Sequence, residues 1–172
     1  MKKNQINQKF IIGILMVFLV IYLDLFTKNF VFFYLYNTNY FTHTLYPVKP
    51  ITSFFSLVYV NNNGISFGMF NKINYARETF AILQSSIAIA LVFWMYRVKS
   101  KHMTLALALI IGGAFGNVID RLQNGGVTDF LDFHFNNIHW PAFNLADSVI
   151  FIGVCIILFD EFIYRKKCQK LK

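Results

Sequence analysis

Residues 112–148 read GGAFGNVIDRLQNGGVTDFLDFHFNNIHWPAFNLADS, and the fold turns on what this stretch separates. One strongly apolar run precedes it and another follows. The chain has eight Asp plus Glu in 172 residues, yet Asp120, Asp129, Asp132 and Asp147 all fall within 28 consecutive positions. Carboxylates gathered beside a hydrophobic phase need partners or a task, because an unpaired buried charge is costly.

Working outward, the composition sets the class. The chain is 56% hydrophobic and 19% aromatic, with a mean hydropathy of +0.50. Such values indicate a polytopic membrane protein, with room for about four helices of about 20 residues each in one domain spanning 1–172. The net charge of +8 does not point to nucleic acid, because the basic residues sit in short clusters flanking apolar runs, where they orient a chain in a membrane. Cys155 lies inside an apolar run and Cys168 in a basic tail, so neither a disulfide framework nor Cys/His metal spacing is visible.

The expected fold is an all-α membrane protein with transmembrane helices near 10–29, 79–96, 103–120 and 146–164. Lys2, Lys3 and Lys9 precede the first run, and no small-residue cleavage site follows it. It is therefore read as a retained helix, not a cleaved leader. Asp24 and Lys28, four positions apart, share a face of that helix near its outer end and can form an ion pair. In the second run Gln84, Ser85 and Ser86 are expected to face other helices, and in the third Gly112, Gly113, Ala114 and Gly116 allow close approach.

The segment 37–78 has Pro47, Pro50 and many Asn, with no apolar window long enough to cross. Aromatic and β-branched residues in 52–59, a turn signal at Asn61-Asn-Asn-Gly64 and renewed apolar character in 65–70 predict a small sheet or hairpin resting on the membrane surface. There Gly64 would supply a positive φ and Asn62 an amide able to bond extended peptide.

Orientation follows from the cations. With four spans, the amino terminus, the loop at 97–102 and the carboxyl tail share one side. That side holds Lys2, Lys3, Lys9, Arg97, Lys99, Lys101, Arg165, Lys166, Lys167, Lys170 and Lys172, which is eleven of the sixteen Lys plus Arg. It is predicted to be cytoplasmic. Asp24, Lys28, Asn62, Asp120, Arg121, Asp129 and Asp147 then meet at the outer face.

The acids differ in setting. Asp120 ends the third helix, where the dipole disfavours an anion, so it needs a cation such as Arg121 or Lys28. Asp147, in the turn Asn144-Leu-Ala146-Asp147, starts the fourth helix, where the dipole favours the ionised form. Asp129 lies in the apolar surround Val127-Thr-Asp-Phe-Leu-Asp-Phe133, which would keep a proton on it. One ionised and one protonated carboxylate can hydrolyse an amide: the first activates water, and the second polarises the carbonyl and protonates the leaving amine. Spacing alone leaves open whether Asp120, Asp129 or Asp132 partners Asp147.

The blocks Gly116-Asn117-Val-Ile-Asp120-Arg121, Val127-Thr-Asp129-Phe130 and Phe143-Asn144-Leu-Ala146-Asp147 resemble those of the lipoprotein signal peptidases, or signal peptidase II. So do Asp24 with Lys28, and Asn62-x-Gly64 followed by Phe67. The resemblance covers nearly the whole chain. It implies an aspartic endopeptidase of the bacterial plasma membrane that removes signal peptides from diacylglyceryl-modified prolipoproteins, cutting just before the lipid-modified Cys. It also implies Asp129 and Asp147 as the catalytic pair, supported by Asp24, Lys28, Asn62, Gly64, Asn117, Asp120, Arg121, Asn144 and Ala146. A four-helix bundle with a β-cradle on the extracytoplasmic face belongs to the same implication. Where the family commonly has two alanines after the Asn-x-Gly block, this chain has Ile65 and Ser66, which bears on how that loop meets substrate. No metal or organic cofactor is expected, because two carboxylates and a water suffice. Expected partners are prolipoprotein signal peptides and membrane lipids, not nucleic acid, with the enzyme a monomer. The alternatives are a small ion- or proton-coupled transporter, which would hold its ionisable residues near mid-bilayer, and a non-catalytic assembly factor. Asp132 has no assigned task.

Overall fold

The computed structural model describes residues 2–38, 47–62 and 76–169. In chain order these form α1 (Lys2–Asn37), β1 (Val48–Thr52), β2 (Phe55–Asn62), α2 (Ala76–Arg97), α3 (Lys101–Asn124), β3 (Val127–Phe135), β4 (Ile138–His139) and α4 (Leu145–Gln169). Three segments are long and apolar enough to cross a membrane: Gln8–Asn37, Arg77–Arg97 and Lys101–Asn124. The fourth predicted span is a helix, α4, but its described part includes Asp147, Asp160 and Glu161 and is not among the three.

The outer surface of this bundle is apolar. On α1, Tyr22, Phe26, Phe30 and Tyr34 recur every four residues and stack ring on ring, and Phe18, Ile82, Phe93 and Phe151 are each about two-thirds exposed. Apolar area on that scale would be a liability in water and is the expected covering against lipid. α1 runs on past its apolar core because Asp24 and Lys28 neutralise each other within the helix, 2.8 Å apart.

α3 is the central helix, packing against α1, α2 and α4. Its start is capped by Ser100, whose hydroxyl accepts from the Met103 amide at 3.4 Å, and it ends at Gly125 with φ 77°. Small residues let its neighbours approach closely. A Cβ on Gly116 would lie 2.6 Å from Asp24 Oδ2, and one on Gly113 would lie 2.6 Å from the backbone oxygen of Ala146. Because the obstacle at Gly113 is main chain, Gly113→Ala must push α4 away. We expect it to destabilise the protein by about 1–3 kcal/mol despite the better helix propensity of alanine, measured as a lowered Tm in detergent.

The part outside the helices is a sheet, as the segment 37–78 led one to expect. A four-stranded antiparallel sheet in the order β1-β2-β3-β4 sits at one end of the bundle. Its first hairpin turns at Ser53-Phe54; of the predicted turn, Asn61 and Asn62 lie in β2, and Asn63 and Gly64 lie outside the described residues. Val60, Asn61 and Asn62 remain in β2 and pair with Asp129, Thr128 and Val127 of β3. The register shifts between Leu57 and Val60, a bulge that re-aims the residues beside Asp129. Gly64, Ile65, Ser66 and Phe67 lie outside the described residues. The expected small sheet is therefore present, and the stretch read as a loop after α3 adds β3 and β4 to it. Val31 and Leu35 of α1 pack with Phe130 of β3 and fix the sheet to the helix end. At the other end of α1, Lys9 Nζ donates to the Lys99 oxygen at 2.7 Å, so the start of α1 and the α2–α3 connection share one side.

Candidate active site

Where the sheet meets the helix ends, the polar residues singled out in the sequence assemble into one connected network. It is built from the inside out on Lys28. The ammonium donates to Asp24 Oδ2 at 2.8 Å and to Asn117 Oδ1 at 2.8 Å, and it lies 3.1 Å from Asp120 Oδ2. Three donors thus find three acceptors, as a buried lysine requires. Lys28, and not Arg121, is therefore the direct ion-pair partner of Asp120 among the described residues. Arg121 instead donates through Nη1 to Gln84 of α2 at 2.9 Å, and its buried Nε has no partner among the described residues.

The anions around Lys28 are each tied to a different element. Asp24 accepts through Oδ1 from the Ala146 amide at 2.9 Å, linking α1 to the start of α4. Asp120 accepts from the Thr128 amide at 2.7 Å and from Asn124 Nδ2 at 2.7 Å, which anchors the first residues of β3 to the end of α3.

The next layer holds the two carboxylates of interest. Asn144 is fully buried and reads both. Its Nδ2 donates to Asp129 Oδ1 at 2.7 Å and to Asn117 Oδ1 at 3.2 Å, while its Oδ1 accepts from the Asp147 amide at 3.0 Å. The Asn144 amide in turn donates to Asp147 Oδ2 at 3.2 Å. This is a reciprocal cap at the start of α4, with the aspartate in the role usually given to Glu. Asn117 Nδ2 donates to Asp147 Oδ1 at 2.9 Å, and Asn62 Nδ2 donates to Asp129 Oδ2 at 2.9 Å. Both oxygens of each carboxylate are thereby held in place.

The environments of the two differ. Burial among β3, α1 and α4 pushes the Asp129 carboxyl up to about 6, helped by the charge of Asp147 and opposed by the Asn62 and Asn144 amides and by Lys28. Asp147 faces a cleft of about 530 Å³ lined by Trp140, Phe143, Asp147, Ser148, Phe151 and Ile152. The cleft opens along the apolar flank of α4, where Phe151 is 69% exposed.

Asp24, Lys28, Asn62, Asn117, Asp120, Asp129, Asn144, Ala146 and Asp147 are all brought together, Ala146 through its backbone. Arg121 flanks the group through α2, and Gly64 is outside the described residues. The sequence reading missed Gln84 as the partner of Arg121 and Thr128 as the partner of Asp120. It also missed His134 and His139 beside Asp132, although the spacing Asp132-x-His134 before an Asn-Asn turn was available as a signal.

The architecture is shared with a bacterial membrane enzyme solved by the in meso method at 2.3 Å, with a TM-score of 0.69 and 29% identity over 87% of each chain. The fold is thus that of a membrane enzyme. The family model described as Signal peptidase (SPase) II matches residues 16–163. A lipoprotein signal peptidase of Aeromonas hydrophila is 47% identical over 125 residues, 71% of this chain and 75% of that protein. Another from Yersinia enterocolitica is 42% identical over 149 residues, 84% of this chain and 83% of that protein. The chain belongs to the signal peptidase II family and is a membrane-bound peptidase.

Proposed function

We propose that this chain is the aspartic endopeptidase that removes signal peptides from diacylglyceryl-modified prolipoproteins, with Asp129 and Asp147 as its catalytic pair. The observation that carries this reading is the single buried amide of Asn144, which bonds the carboxylate of Asp129 and the backbone of Asp147 at once. Two acids fixed by one side chain cannot drift apart. Asp147, ionised at a helix start, takes a proton from water as that water attacks the scissile carbonyl. Asp129, whose proton is retained by burial, donates a hydrogen bond to the carbonyl oxygen and then passes the proton to the leaving amine. Asn62, Asn117 and Asn144 orient the pair, Arg121 flanks it, and Asp24, Lys28, Asp120 and Ala146 hold the elements that bear it. Gly64, outside the described residues, is assigned a supporting or substrate-binding role. Hydrolysis by this route needs no cofactor.

The substrate suits the surroundings. A signal peptide is an apolar helix that reaches a membrane enzyme laterally, and the apolar cleft beside Asp147 offers a seat for apolar substrate at the sheet end. The whole chain acts as one monomeric unit with four crossing helices. For α4 the support is its packing: Ala146 meets Gly113 near one end of the α3–α4 contact and Gly153 meets Ala106 seven residues along. A helix laid antiparallel along a spanning helix spans with it. The basic clusters at the end where Lys9 and Lys99 meet argue for a cytoplasmic location of that end. The sheet and the carboxylates then face outward from the bacterial inner membrane. A transporter is not favoured, since the ionisable groups gather at the sheet end of the bundle and not halfway along it.

In purified protein, cleavage of a lipid-modified prolipoprotein is expected, with the unmodified precursor left uncut. Because Asp129 must be protonated, kcat/KM should fall as pH rises through about 6, approaching tenfold per unit, as the free enzyme loses that proton. Equal turnover of both precursors would rule out the substrate class, and a flat profile from pH 5 to 8 would rule out the role given to Asp129.

A further inference from the structure

We propose a second site, for a divalent transition-metal ion of the Zn²⁺ type, formed by Asp132, His134 and His139 on the β3–β4 hairpin. Strand alternation puts Asp132 and His134 on one face of β3. The two-residue turn Asn136-Asn137, with Asn136 at φ 52°, brings His139 directly opposite His134 in the pairing register. Three side chains capable of ligation therefore converge without any rearrangement of the backbone.

Their geometry fits a small ion. One ligand atom from each residue lies within 4.8 Å of the others. His139 Nδ1 is 3.0 Å from both oxygens of Asp132, and His134 Nδ1 is 3.4 Å from Asp132 Oδ2. Ligand atoms around a tetrahedral Zn²⁺ with bonds of about 2.0–2.1 Å are about 3.3 Å apart, so the cluster is close to the required spacing. The second, independent observation is His134 Nδ1: it is buried and has no hydrogen-bond partner among the described residues, although it faces the same carboxylate as His139. A buried nitrogen that approaches an anion at 3.4 Å without making a hydrogen bond to it is satisfied by a cation held between them.

The donor set selects the ion. Two imidazoles and one carboxylate suit Zn²⁺, Cu²⁺ or Ni²⁺ and not the all-oxygen sites of Ca²⁺ or Mg²⁺. Access is open on one side, because the His139 side chain is 56% exposed while that of Asp132 is 9% exposed. A fourth position is left to water. Such an ion would take no part in hydrolysis. It would staple β4 to β3 next to the Leu131–Phe143 bridge, which leads directly into Asn144.

The test uses the full chain in detergent, with any affinity tag removed and metal stripped by EDTA. Zn²⁺ is titrated against a chromophoric chelator, and Co²⁺ is added as a spectroscopic probe. One equivalent is expected to bind, with a tetrahedral Co²⁺ absorption band and a Zn²⁺-dependent rise in Tm. Loss of even an outer-sphere partner typically weakens a metal site by about 10–100-fold, so His139→Ala and His134→Ala should each weaken binding at least about tenfold and abolish the Tm rise. His102→Ala, on α3, should change neither. His139 is exposed enough to be replaced without disturbing packing, so its variant keeps the test decisive. Absence of saturable binding in the wild-type protein, or unchanged affinity in His139→Ala, would leave only a hydrogen-bonded Asp–His cluster and overturn the proposal.

Discussion

Asp129→Asn and Asp147→Asn are each expected to lower kcat/KM for a lipid-modified prolipoprotein by at least about 10³-fold, the scale of a lost general acid or base. The argument for activity rather than stability comes from their partners. An Asn at 129 keeps one acceptor for the Asn144 or Asn62 amide and removes a carboxyl whose ionisation is opposed by burial. The loss of one bond and the gain from removing a buried acid offset each other, so stability should change by no more than about 1–2 kcal/mol. An Asn at 147 keeps one of the two acceptors that serve Asn117 and the Asn144 amide, at a cost of about 1 kcal/mol for a weakened cap. Asp120→Asn is the contrasting control. Asp120 bonds Lys28, Thr128 and Asn124 and touches neither carboxylate, so its loss should appear chiefly as a lower Tm. Activity retained in Asp129→Asn or Asp147→Asn would refute the pair. A stable but inactive Asp120→Asn would mean that the partner had been chosen wrongly.

What the sequence disclosed and what it hid have separate physical causes. Helices whose apolar runs are long are legible because membrane insertion is a local property of composition. α2 and α3 begin and end within about four residues of the expected spans, whereas α1, expected at 10–29, runs from Lys2 to Asn37, with its Tyr-Phe ladder still facing lipid. The polar constellation was legible mainly through its resemblance to a known family, since four aspartates in one stretch could be paired in several ways by spacing. β3 was not legible. Val127-Thr-Asp-Phe-Leu-Asp-Phe-His-Phe135 carries two aspartates, which are poor strand formers, and its partner β2 lies more than sixty residues earlier. Only tertiary pairing makes it a strand. The same pairing keeps Asn61 and Asn62, the start of the predicted turn, in the strand, opposite Thr128 and Val127 of β3. Asp120 could have chosen Arg121 or Lys28. The bundle decides for Lys28, since Arg121 turns toward Gln84.

Lys28→Met should be the most destabilising single change in the network, by about 3–5 kcal/mol, as expected when one partner of a buried ion group is removed. The lysine is 4% exposed, and its two anionic neighbours, Asp24 and Asp120, are 0% and 1% exposed. Without the ammonium, both carboxylates remain close together with no cation, and neither can reach water. Asp24→Asn is milder. The Asn oxygen can still accept from the Ala146 amide, and Lys28 still pairs with Asp120. The two changes should therefore be strongly non-additive: once Asp24 is neutral, removal of Lys28 strands one carboxylate instead of two. In a double-mutant cycle the Asp24→Asn/Lys28→Met variant should lose less than the sum of the single losses, with a coupling of about 1–3 kcal/mol. Unfolding in detergent, followed by Tm or denaturant midpoint, supplies all four corners. Simple additivity would show that Asp24 and Lys28 act independently. The buried triad would then not be what ties α1 and α3 to the start of α4, and the position of Asp147 would have to depend on Asn117 and Asn144 alone.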